Sequence, residues 1–119
     1  MSFLFGKKDL QKQAETEQKH REIADQFDGM VREALSRLTG WAFPGSSVES
    51  AGIGKWELIH TTAEGGRIVD MTVTLHFKKD RPVALMADHS SEGRSTSFGT
   101  ITMTRESLDD ALRRCLSGR

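Results

Sequence analysis

Apolar positions along this chain fall into two periods, and each predicts a different element. Ile23, Phe27, Met30, Val31, Ala34, Leu35 and Leu38 recur at three- and four-residue steps, which sets them on one stripe of a helix facing a core. The helix reading extends back to Lys7, because from Lys7 to Thr39 there is no proline and a single glycine, Gly29, and the residues are mostly good helix formers. In the earlier half, Lys8 to Glu22, only Leu10 and Ala14 are apolar at the right spacing. We therefore expect residues 1–22 to form a polar, frayed extension, helical through side-chain ion pairs of a few tenths of a kcal/mol each, and residues 23–119 to form a single domain. Gly40 and the Phe43-Pro44-Gly45-Ser46-Ser47 turn should stop the helix. Trp41 and Phe43 are then expected to tuck an irregular link onto the core, with Gly52 and Gly54 keeping it loose as far as Lys55.

Beyond Lys55 the period becomes two. Val69, Met71, Val73, Leu75 and Phe77 alternate with Asp70, Thr72, Thr74, His76 and Lys78, the pattern of a half-buried central strand. Gly65-Gly66 suits a two-residue hairpin turn. With that pair at the tip, Trp56 falls opposite Leu75, Leu58 opposite Val73 and His60 opposite Met71. A loop at Lys79-Asp80-Arg81 then sets Val83 opposite Phe77, Leu85 opposite Leu75 and Ala87 opposite Val73, so the inward faces agree across three strands. A further strand over Ser95 to Thr104 has no fixed register, since Phe98 lies on one face and Ile101 and Met103 on the other. Thr104 or Ser107 should cap a last helix whose stripe is Leu108, Ala111, Leu112, Cys115 and Leu116.

These elements compose an α+β domain: a long N-terminal helix, a four-stranded antiparallel β-meander and a short C-terminal helix. The layout is similar to helix-on-sheet folds of the cystatin-like type, and no sequence motif argues for kinship with them. The sheet face opposite the main core is not wholly polar, because Ile59, Ala84, Met86, Ile101 and Met103 fall on it. The terminal helix, a second subunit or a ligand must cover such a patch, and these residues are the candidate interface.

Composition narrows the classes of function. With 36% hydrophobic and 29% charged residues in 119, the chain fits a globular domain that can bury one core. Lys plus Arg equals Asp plus Glu at 17 each, which disfavours nucleic acid as a partner because phosphate recognition needs a basic surplus on one face. One cysteine, Cys115, points to a reducing, cytoplasmic setting. No run of eighteen apolar residues occurs, so no membrane span is predicted. Met1 to Lys8 lacks the apolar run of a signal peptide.

Candidate chemistry is thin. The predicted register sets His60 and His89 on either side of Met71 on the core face, where two imidazoles could bind a metal or shuttle a proton. They lie two strand spacings apart, about 9 to 10 Å, and no third ligand has metal-site spacing, so no metal or cofactor is assigned. Two rim histidines satisfied by backbone or water is the plainer account. With Trp41, Trp56 and Met71 they would line a small-molecule pocket between the first helix and the sheet. Asp70 and His76 share a face but lie about 20 Å apart along a strand, and Glu57 with His76 is a diagonal pair that an exposed polar face explains. Cys115 fits a buried small hydrophobe better than a nucleophile, and His20 is expected to be solvated. Gly52-Ile53-Gly54-Lys55 lacks the helix and hydroxyl that a phosphate loop needs. Basic groups at Lys7, Lys8 and Lys12, at Lys78, Lys79 and Arg81, and at Arg113, Arg114 and Arg119 are each small. Phe3-Leu4-Phe5 before the first lysines could touch a membrane surface or a partner, and a disordered segment is the plainer reading. No catalytic residue is assigned. The sequence favours a non-catalytic protein-binding domain that self-associates, with the small-molecule pocket as the alternative.

Overall fold

A computed structural model describes residues 7–40, 42–89, 93–99 and 104–117. Helix α1 spans Lys7–Leu38; strands β1 Ser47–Gly52, β2 Lys55–Thr61, β3 Arg67–Lys78, β4 Arg81–His89 and β5 Arg94–Gly99 follow, and helix α2 spans Arg105–Ser117. The strands form one antiparallel meander in the order β1-β2-β3-β4-β5. The architecture is the expected α+β, with five strands where four were predicted.

The added strand is β1, in the stretch read above as an irregular link. Its sequence, Ser-Val-Glu-Ser-Ala-Gly, holds one substantial apolar side chain, Val48, half-buried opposite Leu58. An edge strand needs little more, because only one of its sides pairs and one of its faces can stay wet. Gly52 and Gly54, both at positive φ, close the β1–β2 hairpin around an exposed Ile53. At Gly54 the requirement is steric as well: its carbonyl accepts from Leu75 N–H at 2.7 Å, and a Cβ there would lie 3.1 Å from the Leu75 Cβ.

The β2–β3 register departs from the expected one by two residues, with Trp56 opposite Val73 and Leu58 opposite Met71. Gly65 N–H donates to the Thr62 carbonyl, and Gly65 takes positive φ whereas Gly66 does not. A turn with one left-handed residue therefore replaces the two-residue Gly-Gly tip and moves the frame. A shift of two preserves faces, which is why the inward pattern still matched. Past Leu58 the frame changes again: Ile59 pairs with Val69 and His60 with Ile68, leaving Asp70 as the extra residue of a bulge. His60 is thus not opposite Met71. In β3–β4, Leu85 lies opposite Leu75, Ala87 opposite Val73 and His89 opposite Met71, as expected. Pro82, rather than Val83, meets Phe77, and the bulge leaves Val83 43% exposed.

Both helices pack on one face of the sheet. Val31, Ala34, Leu35 and Leu38 of α1 share a buried cluster with Leu108, Leu112 and Cys115 of α2 and with Trp56, Leu58, Met71, Val73, Leu75, Leu85 and Ala87. Each such side chain contributes roughly 1.5–3 kcal/mol by leaving water. Thr104 caps α2: its Oγ1 accepts from Ser107 N–H at 3.1 Å, and Ser107 Oγ accepts from Thr104 N–H at 2.8 Å. Glu33 and Arg37 of α1 form ion pairs with Arg105 and Asp109 of α2, tying the helices together along their outer edge. Because α2 lies beside α1, the terminal helix is not what covers the opposite face.

Candidate functional site

Among the described residues, those expected to line a pocket between α1 and the sheet are distributed between the core and the sheet's edge. Met71 is fully buried and Trp56 nearly so, both as core members. His89, half-buried, meets Phe43 edge-on with ring centroids 5.5 Å apart. His60 is drawn instead to the bulge, and Trp41 lies outside the described residues.

The bulge builds an arrangement that strand alternation could not foretell. Strict alternation would turn Asp70 away from the Met71 face; the inserted residue brings its carboxylate onto His60 Nδ1, at 2.8 Å, and onto Ser46 Oγ, at 2.7 Å. The Asp70 side chain is 12% exposed and that of His60 36%. An ionised carboxylate only accepts, so His60 must carry a proton on Nδ1, and the neutral ring then presents Nε2 as a base. Ser46 spends its hydroxyl proton on the same Asp70 Oδ2 that His60 Nδ1 meets, and not on Nε2. A relay in which histidine activates a serine needs the hydroxyl on Nε2; this arrangement instead holds β1, β2 and β3 together at their shared end.

A second polar centre joins α1 to β2. Trp56 Nε1–H donates to Asp28 at 2.9 Å, and Arg32 Nε reaches both carboxylate oxygens at 2.9 and 3.0 Å. Partial burial pushes the Asp28 carboxyl up, but the hydrogen bonds from Trp56 and Arg32, with the Arg32 charge, outweigh it and hold the group below the usual carboxylate range. Beside this centre a groove of about 300 Å³ opens between α1 and the β1–β2 hairpin, lined by Arg21, Asp25, Asp28, Ser50, Ile53 and Trp56 among others. It lies at the Trp56 end of the sheet, not at the His60 end.

The β3–β4 hairpin tip docks on α1 at His20, which is half-buried and not freely solvated. The His20 ring stacks on Phe77 with centroids 3.8 Å apart, and its Nε2–H donates to the Lys79 carbonyl at 2.6 Å. Lys79 adopts a φ of 58°, and the next residue, Asp80, pairs with Lys19 at 3.2 Å. That pairing holds the Asp80 carboxyl below its ordinary range.

On the opposite face of the sheet, the row Thr74–Met86–Ser97 is flanked by Thr72–Asp88–Ser95 on one side and His76–Ala84–Gly99 on the other. Met86, Ala84, Thr72 and Thr74 are half-buried, and no helix among the described residues lies over them. Ile59 is 5% exposed: the Arg67–Glu49 ion pair crosses β2 over it. Ile101 and Met103 lie outside the described residues. No helix among the described residues is long and apolar enough to cross a membrane. No group of three or more His, Cys, Asp or Glu among them could hold a metal ion. No family model, curated protein or solved structure matches this chain.

Proposed function

We propose that this chain is a non-catalytic protein-binding domain that self-associates through the helix-free face of its sheet. The observation that carries this reading is the segregation of both helices to one side. The other side presents Met86 and Ala84 among Thr72, Thr74, Ser95 and Ser97, with Asp88 at one margin and Lys55 and Glu57 of β2 beside Thr74 and Thr72. A surface with an apolar centre and charges of both signs at its margin suits the matching face of a second sheet, because the centres of two such faces can interdigitate while the ions stay at the wet rim. The buried Cys115 accords with a reducing, cytoplasmic setting. Sedimentation equilibrium tests the proposal: the native chain should show a mass of two chains at micromolar concentration, and Met86→Lys should return it to one. A native chain that stays at one mass throughout removes the self-association reading.

The groove beside Trp56 favours a second reading, a small-molecule-binding protein. Arg21 and Asp25 line it with no ion pair among the described residues, so it offers one charge of each sign above an indole. Quenching or shifting of Trp56 fluorescence by a zwitterionic metabolite in a thermal-shift library, abolished by Arg21→Ala, would bring this reading forward.

A further inference from the structure

The helix-free face carries its charges at opposite ends of β4. By register, Arg81, Ala84, Met86 and Asp88 stand on that face in turn, a strip that runs from a cation through two apolar side chains to a carboxylate. Arg81 lies directly across the hairpin from Lys78, both exposed, and like charges so placed repel one another. Asp80, the acid next to Arg81, is already paired with Lys19. On β2, Glu57 joins the Asp88 row and Lys55 the Met86 row, one charge of each sign at the far margin. The relief between the charged ends is uneven. Met86 stands between Thr74 and Ser97, whereas the next row is Ala84 between His76 and Gly99, and a side chain on Gly99 would meet no atom within 4 Å. One large side chain therefore borders a step of small ones. Counted along β3, the level of Leu75 and Leu85 is the midpoint: the Met86 and Ala84 rows lie one residue to either side of it, the Asp88 and Arg81 rows three.

We propose that two copies meet on this face with their strands antiparallel, related by a two-fold axis that crosses the strands at the level of Leu85. The inference rests on the self-association reading and fixes how the second copy sits. Aligned packing of two sheets leaves two choices, strands running the same way or opposite ways. A two-fold axis along β4 would set each row against itself, Asp88 against Asp88 and Arg81 against Arg81 of the other copy. An axis across the strands sets Asp88 against Arg81 of the other copy, twice over, and seats each Met86 on the step at Ala84 of the other copy. Charge and shape select the same axis, and the strip is complementary to itself only in that orientation.

Sedimentation equilibrium of the native chain at two salt concentrations tests the orientation. The formal net charge is zero, so the salt response reports local contacts and not bulk repulsion between copies. The dimer should be weakened about threefold or more on going from about 0.05 M to about 0.5 M salt. Arg81→Glu, at an exposed hairpin position, should weaken it roughly tenfold or more with the melting temperature of the monomer unchanged, and adding Asp88→Arg to the same chain should bring it back to within about threefold of native. A short bismaleimide should join an Asp88→Cys chain to an Arg81→Cys chain and neither to itself, because like positions in the two copies would lie about 20 Å apart; the native Cys115 is buried and does not compete. A dimer that salt strengthens, that Arg81→Glu leaves intact, or that links Asp88→Cys to Asp88→Cys, while Met86→Lys still dissociates it, overturns the antiparallel arrangement and leaves the self-association reading standing. A native chain of one mass at every concentration and salt removes both.

Discussion

The two faces of the sheet use the same strands differently. On the helix-bearing face, Leu58, Met71, Val73, Leu75, Leu85 and Ala87 are packed under α1 and α2 and hold the fold together. On the other, Thr72, Thr74, Ala84 and Met86 occupy the alternate positions of β3 and β4, half-buried with no helix of the described residues over them. What differs is the cost of change. A residue on the first face is fixed by the atoms around it, while one on the second is free to serve whatever approaches from outside.

Truncating the packed face should have the largest effect. Leu85→Ala, at a fully buried site, should destabilise the domain by about 2–5 kcal/mol, visible as a lowered urea midpoint with an unchanged slope. Gly54→Ala should cost about 1–2 kcal/mol, because the residue sits at a φ of 67° and its new methyl would press on Leu75; Gly65→Ala, with positive φ but open space around it, should cost less in the same assay.

Acid should weaken the α1–β2 joint. The Asp28 carboxyl is depressed in the folded chain, so its contribution is complete above the ordinary carboxyl value near pH 4 and is lost as the pH falls through the lower folded value. Asp28→Asn should therefore flatten the stability-against-pH curve below about pH 4 and leave its shape above that unchanged. The smallest effect belongs to the open face: Met86→Lys should shift the unfolding free energy of the isolated chain by no more than about 0.5 kcal/mol. A large loss there would mean that the two faces are not distinct in kind.

How much of this was legible in the sequence follows from the strength of each local pattern. The α1 stripe, the inward row of β3 and the Leu75–Leu85 pairing were readable because alternation or helical spacing ran unbroken through them. β1 was not, since one valine among Ser, Glu, Ala and Gly gives a pattern no stronger than a loop's. The Asp70 bulge was invisible for the opposite reason: the string from Val69 to Lys78 alternates so regularly that nothing marks an inserted residue, and the pull of His60 and Ser46 on the carboxylate acts only once three strands are assembled. His20 seemed a surface residue because the Phe77 ring and the Lys79 carbonyl that engage it lie some sixty residues away. Of the candidate pocket, Trp56 and Met71 were placed on the correct face but as core, and His60 was misplaced by the bulge.

The claim on which the functional account rests is that a second copy meets the helix-free face. A mixed sample of isotope-labelled and unlabelled chains tests it through intermolecular nuclear Overhauser effects. Contacts should run from the Met86 methyl to the methyls of Thr74 and Ala84 in the other copy. Intermolecular contacts confined to residues of α1, α2 or the edge of β1, with the Met86 methyl silent, would contradict it.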